Sequence, residues 1–333
     1  MDKRTLIIPG AAVVALAAGY FGLSAYAASQ AEKQLEDWLY DNKLDDMLRW
    51  DSVSASPFGS AYTLHDVSIV GKDQFKGLDL DVDSIRVADQ ADERDLKSIS
   101  LELHGIRPAG NERGPAAALY ELLQASGRQE LEPFDLTLST RYDAEERQAN
   151  LSFSLDVPQL FAGEGSLQFN NARNLDRELE TLGASAAQLA MLGSLGVFGL
   201  GEVMDKLEAV EIGNASFTLR DNGYFKRSNS LRERYSYELD SSKGSAGEQR
   251  EKIAEREQRQ WQQDCQKTWE RAYKGAEDAC EAWWQALHGQ KDGVRISLEP
   301  ENRVRLSDLD GITRDPDRAG RTLARLNLSI DSL

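Results

Sequence analysis

The feature that most restricts the fold is a period-two alternation of apolar and polar residues that recurs along much of the chain. It is cleanest in Leu-Asp-Leu-Asp-Val-Asp-Ser-Ile-Arg-Val, residues 78–87. Because successive side chains of a strand point to opposite faces, such a segment has one apolar and one polar face. The same alternation occurs at residues 53–56, 61–70, 99–106, 134–142, 149–157, 160–169, 207–220, 294–298 and 326–330. The pattern predicts an α+β fold built on a curved antiparallel sheet of about ten to twelve strands, polar on one face.

Helical segments interrupt these strands and are expected to cover the sheet as amphipathic helices. A short helix is predicted at 115–123, a longer one at 175–206, and a highly charged helical hairpin at 248–288, after the Ser/Gly-rich run 241–247. The predicted organisation is a membrane anchor at 1–30, a β-rich domain at 31–246, a helical hairpin at 247–290 and C-terminal strands at 291–333 that complete the β domain.

An uncharged apolar run at residues 6–28 predicts a transmembrane helix. At about 1.5 Å per residue, a helix of this length spans roughly the 30 Å of a bilayer core. Lys3 and Arg4 precede it and an acidic chain follows, which places the N-terminus in the cytoplasm. We therefore expect a single-pass protein of the inner membrane with its bulk in the periplasm.

The alternative for this segment is a cleaved signal peptide, because Ala25-Tyr26-Ala27 has the small-x-small form of a cleavage site. The length of the apolar run favours retention. So does the helical periodicity that continues through Leu35, Trp38, Leu39 and Leu44. Both interpretations export the remainder of the chain.

A second uncharged stretch lies at residues 182–200 and is rich in Gly, Ser and Ala. As a second membrane span it would return the C-terminus to the cytoplasm, where the cysteines would be reduced. The interpretation that we favour is a buried helix that covers an apolar sheet face as the lid of a groove. Its candidate lid residues are Leu182, Leu189, Leu192, Leu195 and Phe198.

The only two cysteines, Cys265 and Cys280, lie within the predicted hairpin. In one continuous helix the sulfurs would be roughly 22 Å apart, whereas a reversal near Gly275 brings the two faces together. Trp261, Cys265, Trp269 and Tyr273 follow each other at four-residue steps, and Cys280, Trp283 or Trp284, and Leu287 form the second face. This stripe of aromatic residues with a cysteine inside it favours a hairpin with a Cys265–Cys280 disulfide.

The hairpin tryptophans have two interpretations. Packing within a small helical hairpin explains them most simply. The alternative is a surface for a protein partner, formed by Trp261, Trp269, Trp283 and Trp284.

Charge and motif content exclude several functions. The net charge of −17 repels phosphate backbones and argues against nucleic-acid binding. The chain has three histidines, and no zinc-protease, phosphate-loop or dinucleotide motif is present; Gly193-Ser194-Leu195-Gly196 lacks the first glycine of a nucleophile elbow. Asp79, Asp81 and Asp83 lie about 6.6 Å apart along a strand, too far to share one ion. We expect neither an enzyme nor a cofactor.

Three segments resemble a known family. WDSVSASPFGSAYTLHDVSIVG (50–71), LEAVEIGNASFTLRDNGYFKR (207–227) and VRISLEPENRVRLSDL (294–309) are similar to strands of AsmA-like and related anchored envelope proteins of Gram-negative bacteria. In that family an Asp-x-Gly turn closes a strand and a helix follows. The helical hairpin at 248–288 departs from the family pattern.

The resemblance implies a β-groove that holds lipid chains. Larger relatives are implied to move phospholipid between membranes, but about ten to twelve strands make a sheet only about 50–60 Å long. The expected role is therefore local: non-enzymatic envelope maintenance in which phospholipid acyl chains are held or handed on. The alternative is an envelope scaffold that binds another envelope protein through the Trp-rich hairpin.

Overall fold

The computed structural model describes residues 46–55, 61–71, 79–92, 96–109, 115–172, 210–309 and 316–333, with isolated positions between 32 and 40. In these residues it has an α+β fold with a single open antiparallel sheet of twelve strands. The strands are β1 (Leu48–Arg49), β2 (Ser52–Ala55), β3 (Tyr62–Ile69), β4 (Leu80–Asp92), β5 (Leu96–Pro108), β6 (Phe134–Asp143), β7 (Gln148–Val157), β8 (Phe161–Asn170), β9 (Glu211–Asp221), β10 (Gly293–Leu298), β11 (Val304–Arg305) and β12 (Leu328–Ser332).

The described helices lie between these strands. They are α1 (Pro115–Ala125), α2 (Tyr224–Tyr235), α3 (Ala246–Trp269), α4 (Ala276–Leu287) and α5 (Pro316–Arg325), with a short 3₁₀ helix at Leu306–Leu309. A strand is thus confirmed at each segment where the alternation predicted one. The helix after residue 115 and the reversal between α3 and α4 are confirmed as well.

The sheet is a meander from β3 to β10, followed by β12. Both β1 and β2 pair with β3, and β10 and β11 both pair with β9, so twelve strands occupy ten positions. At about 4.8 Å per strand the sheet is roughly 43 Å across. The expected 50–60 Å was too long, because counting strands along the sequence does not show which of them share a partner.

The alternation determines the core. On β3–β5 the apolar inward side chains are buried: Ile85, Leu101 and Leu103 are each 0% exposed. Leu119 and Leu123 of α1 pack into the same cluster, which we call the first core. A second core, around Ile212, Val304 and Leu326, lies where β9 meets the C-terminal elements.

Local sequence explains where two of the helices begin. Asp221 ends β9, and its carboxylate accepts hydrogen bonds from the N–H groups of Phe225 and Lys226 at 2.9 and 3.3 Å, satisfying the first turn of α2. Ser245 and Glu248 form a reciprocal capping box that begins α3. The Asp-Asn-Gly turn and the Ser/Gly-rich run therefore start helices.

The outer edge of β12 adjoins the helical hairpin. The Leu333 N–H donates to Gly293 O, so the backbone groups of Leu328 point away from β10. The Tyr273 hydroxyl donates to Leu328 O on that outward side at 2.9 Å. Tyr273 lies beyond the end of α3 at Trp269, in the turn before α4. The predicted stripe is therefore helical only as far as Trp269.

Candidate functional site

An apolar depression lies on the inward face of the second half of the sheet. The pairing of strands aligns Phe153, Gly165, Phe217 and Ile296 in one row across β7, β8, β9 and β10. With its neighbours this row lines an open depression of about 260 Å³. The larger apolar side chains in its lining are Leu151, Phe153, Leu167, Phe217, Ile296 and Leu298. Among the described residues, no charged side chain lines it.

Glycine at position 165 creates the space between two phenylalanines. The Phe153 and Phe217 rings approach to 6.1 Å between centroids at an interplanar angle of 34°. A Cβ at Gly165 would lie 2.9 Å from Cζ of Phe153, which real Cβ contacts do not reach. The ring of Phe153 therefore covers the glycine backbone, an arrangement known to stabilise glycines within sheets. Any larger residue at 165 would displace this ring.

The depression lies between the two cores on one face of the sheet. Leu155 and Phe161 pack against the first core, whereas Leu167 and Leu298 pack against the second. The side chains between them are only partly buried by described residues. Among the described residues, nothing covers the sheet at this position, which is bounded at both ends by well-packed clusters.

Its serines add little polarity. Ser166 and Ser216 are opposed on β8 and β9, and their hydroxyls hydrogen-bond each other at 2.9 Å. They alternate with the inward residues Gly165 and Phe217 and are exposed on the polar face. The arrangement can hold an apolar group, but it offers no acid, base or nucleophile for chemistry.

Several predicted features lie outside the described residues. They are the anchor at residues 6–28, the cleavage site at Ala27, and the lid residues Leu182, Leu189, Leu192, Leu195 and Phe198. In the part of the chain that the structure describes, no helix is both long enough and apolar enough to cross a membrane.

The predicted helical hairpin and its disulfide are present. Cys265 of α3 and Cys280 of α4 are bonded, with Cα atoms 6.0 Å apart. The Trp261 ring of α3 and the Trp284 ring of α4 also contact each other, at 5.6 Å between centroids. The sequence left Trp283 and Trp284 as alternatives for the second face, and the structure selects Trp284.

The four tryptophans do not form one exposed surface. Trp284 is only 4% exposed and Trp269 is 50% exposed. Trp261 and Trp283 are partly buried. Burial of Trp284 counts against the partner interpretation, which requires exposed tryptophans, and leaves Trp269 as the most accessible of the set.

His288, at the C-terminal end of α4, contacts α2. Its ring stacks on Trp284 with centroids 3.4 Å apart. Nδ1 lies 3.0 Å from Trp284 O and Nε2 lies 3.3 Å from Nη2 of Arg232, so Nδ1 carries the proton and Nε2 accepts. Burial, followed by the nearby Arg232 charge, lowers the pKa of His288. Arg232 also pairs with Glu257 at 3.3 Å.

A tyrosine adjoins the same network. Tyr237 donates to Glu257 at 2.8 Å. Burial, followed by this hydrogen bond to a carboxylate, raises the pKa of Tyr237 to about 12. The phenol therefore remains protonated and acts as a donor that holds α3 near the segment following α2.

The polar face carries one pair that resembles catalytic groups. Ser54 Oγ and His65 Nε2 are 2.8 Å apart on β2 and β3. Among the described residues no carboxylate forms an ion pair with His65, so the group that orients the base in a catalytic triad is missing. The pair is open to solvent, and a cross-strand hydrogen bond explains it.

The remaining polar candidates form structural contacts. His104 is exposed and lies 3.6 Å from Glu102 and 3.4 Å from Asp135. Asp83 pairs with Arg107, and Asp81 is exposed. In the described part of the chain no group of three or more ligating side chains could hold a metal ion.

Sequence reasoning missed the residues of the depression. It placed the groove residues in the segment 182–200, whereas the described lining comes from β7–β10. A signal was present in Phe-Ala-Gly-Glu-Gly, residues 161–165, where glycines replace apolar residues at inward positions. Recognising it required the knowledge that Gly165 opposes Phe153 and Phe217.

Comparison with known proteins gives no family assignment: no protein-family model matches the chain, and no curated protein matches it.

Proposed function

We propose that this protein is a membrane-anchored envelope protein of non-enzymatic role that binds a lipid acyl chain in the apolar depression of its sheet. The observation that carries the proposal is the gap between the two cores, lined by Leu151, Phe153, Leu167, Phe217, Ile296 and Leu298. An apolar chain is the ligand class that such a lining stabilises, because burial of its methylenes contributes about 0.8 kcal/mol each and needs no polar partner.

Size supports one chain. The volume of about 260 Å³ is just below the range of ligand pockets, about 300–1,000 Å³. The depression is open, so a second chain and the headgroup of a lipid would remain outside it. A role in holding or handing on lipid at one membrane agrees with this size and with a sheet only roughly 43 Å across.

Other parts of the proposal come from the sequence. Residues 6–28 would anchor the chain in the inner membrane with the sheet in the periplasm. The Cys265–Cys280 disulfide agrees with an oxidising compartment. The lid formed by Leu182, Leu189, Leu192, Leu195 and Phe198 stays a prediction.

Native mass spectrometry of the full chain, extracted in mild detergent, tests the proposal. We expect co-purified phospholipid on the wild-type protein. Ala215→Trp would place a large ring in the depression, because Ala215 lies between Leu167 and Leu298 on the inward face. We expect its lipid occupancy to fall by about tenfold or more, corresponding to about 1.4 kcal/mol.

Ser154→Trp is the matched control. Ser154 is exposed and lies on the opposite face of β7, so the same side chain there leaves the depression open. Its lipid occupancy should equal that of the wild type. Lipid-free wild-type protein, or equal lipid on Ala215→Trp and Ser154→Trp at equal circular dichroism, would overturn the proposal.

A second proposal, an envelope scaffold acting through the helical hairpin, is favoured by the 50% exposure of Trp269 at the end of α3. Photo-crosslinking from position 269 in cells tests it. Position 283, which is partly buried, is the control. A discrete partner that crosslinks from position 269 and does not crosslink from position 283 would support the scaffold.

A further inference from the structure

The two helices of the hairpin are attached to the body in different ways. Helix α4 buries a continuous set of side chains and packs against β10 and β12. Its buried residues are Ala276, Ala279, Cys280, Ala282, Trp284 and Ala286. Helix α3 is twice as long, 24 residues against 12, and buries none of its residues. The face of α3 that contacts α4 is only partly buried, as at Trp261 and Cys265, whereas most helices in proteins depend on a buried face for stability.

One covalent bond and several noncovalent contacts hold α3 in place, among them the hydrogen bond from Arg250 to Glu233 O at 3.2 Å and those between Gln249 and the backbone of Asp240. The covalent bond is the disulfide between Cys265 and Cys280. The Trp261 ring contacts the Trp284 ring. The Glu257 carboxylate accepts a hydrogen bond from Tyr237 at 2.8 Å and forms an ion pair with Arg232 at 3.3 Å. Of these, the solvent-exposed ion pair between Arg232 and Glu257 contributes little to stability. The disulfide is the covalent restraint on the position of α3 relative to α4.

The face of α4 that α3 contacts carries a hydrogen-bond donor without a partner in the described part of the chain. The indole N–H of Trp284 is buried and has no hydrogen-bond partner among the described residues. A buried donor without a partner is unfavourable, and exposure to water would remove this cost. The Trp284 ring would keep its stack with His288, because both residues belong to the same end of α4.

We propose that α3 is a redox-releasable arm: reduction of the Cys265–Cys280 disulfide frees α3 from α4 and uncovers the Trp284 face, while the sheet keeps its fold. The inference is independent of the lipid proposal, since it concerns the hairpin and not the depression.

A dithiol reductant supplies the chemistry. Its first thiolate attacks Sγ of Cys265, which belongs to a partly exposed residue, and Cys280 leaves as a thiolate that takes up a proton. The second thiol of the reductant, as thiolate, then attacks the mixed disulfide and releases Cys265 as a thiol. Two electrons pass to the protein, and the reductant leaves as a disulfide.

Hydrogen exchange of the full chain in detergent, measured with and without a dithiol reductant, tests this inference. Alkylation mass shifts establish that both sulfurs are free. We expect amide exchange in residues 246–269 to accelerate by at least about tenfold on reduction, because an isolated polar helix is only marginally stable. Exchange in α4 and β5 should stay unchanged.

The double variant Cys265→Ser/Cys280→Ser separates release from any other effect of the reductant. It should show the fast exchange in α3 without reductant and no further change with it. A rise in α3 exchange of less than tenfold in the reduced protein, or an equal rise in α4 and the sheet, would overturn the inference.

Discussion

Strands β3–β6 and strands β7–β10 present the same alternation on the same face of one sheet, but they cover it to different extents. In the first half, Ile85, Leu101 and Leu103 are 0% exposed beneath α1. In the second half, Leu151, Phe153 and Phe217 are only partly buried by described residues. Identical patterning thus produces a sealed core in one place and an apolar depression in another. In the part of the chain that the structure describes, the differences are that α1 packs into the first core and that β8 has glycine at inward positions.

The largest expected effect comes from a matched pair of leucines. Leu103→Ala removes a side chain with 0% exposure from the first core and should lower the free energy of unfolding by about 2–5 kcal/mol. Leu151→Ala, on the partly open half, should cost less than half as much, because less area and fewer neighbours are lost. Urea unfolding of the full chain in detergent, followed by circular dichroism, measures both. Equal costs would remove the distinction between the two halves.

The next largest effect is a loss of stability on substitution of a glycine in β8 by alanine. Gly165→Ala forces the Phe153 ring to move, since the new Cβ would lie 2.9 Å from its Cζ, and we expect about 1–3 kcal/mol of destabilisation. Gly163→Ala is the control, because there the nearest Phe153 atom is at 4.0 Å. The same unfolding experiment compares them. Bound lipid should also decrease in Gly165→Ala alone; a similar cost at both positions would contradict the proposed role of Gly165.

The smallest effect is a pH dependence at the far end of the second half, where α4 adjoins β10 and β12. Burial lowers the pKa of His288 in the folded protein, whereas the unfolded chain binds a proton near pH 6.5. The unfolded state therefore binds more protons as the pH falls through about 6.5, and stability decreases in that window. Melting temperatures at about pH 8 and about pH 5 measure this decrease. It should shrink in His288→Gln and persist in His104→Gln, whose side chain is exposed on the polar face.

Prediction from sequence succeeded where the information is local. Alternation within residues 78–87 gives the faces of β4 directly, and the spacing of Cys265 and Cys280 around Gly275 is sufficient to predict their bond. It failed where distant strands must be aligned. Phe153 and Phe217 are 64 positions apart and meet only because β8 lies between them. The choice between Trp283 and Trp284 likewise depends on how α4 is rotated against the sheet.

The hydrogen bond from Tyr273 to Leu328 has a consequence for the protein as a component of a crowded compartment. The last strand of an open sheet presents unpaired backbone groups, and these can recruit a strand from another molecule into intermolecular aggregates. On β12 the outward carbonyl of Leu328 already has a partner, and α4 packs beside the strand. The turn between α3 and α4 thus acts against self-association of the sheet at this edge.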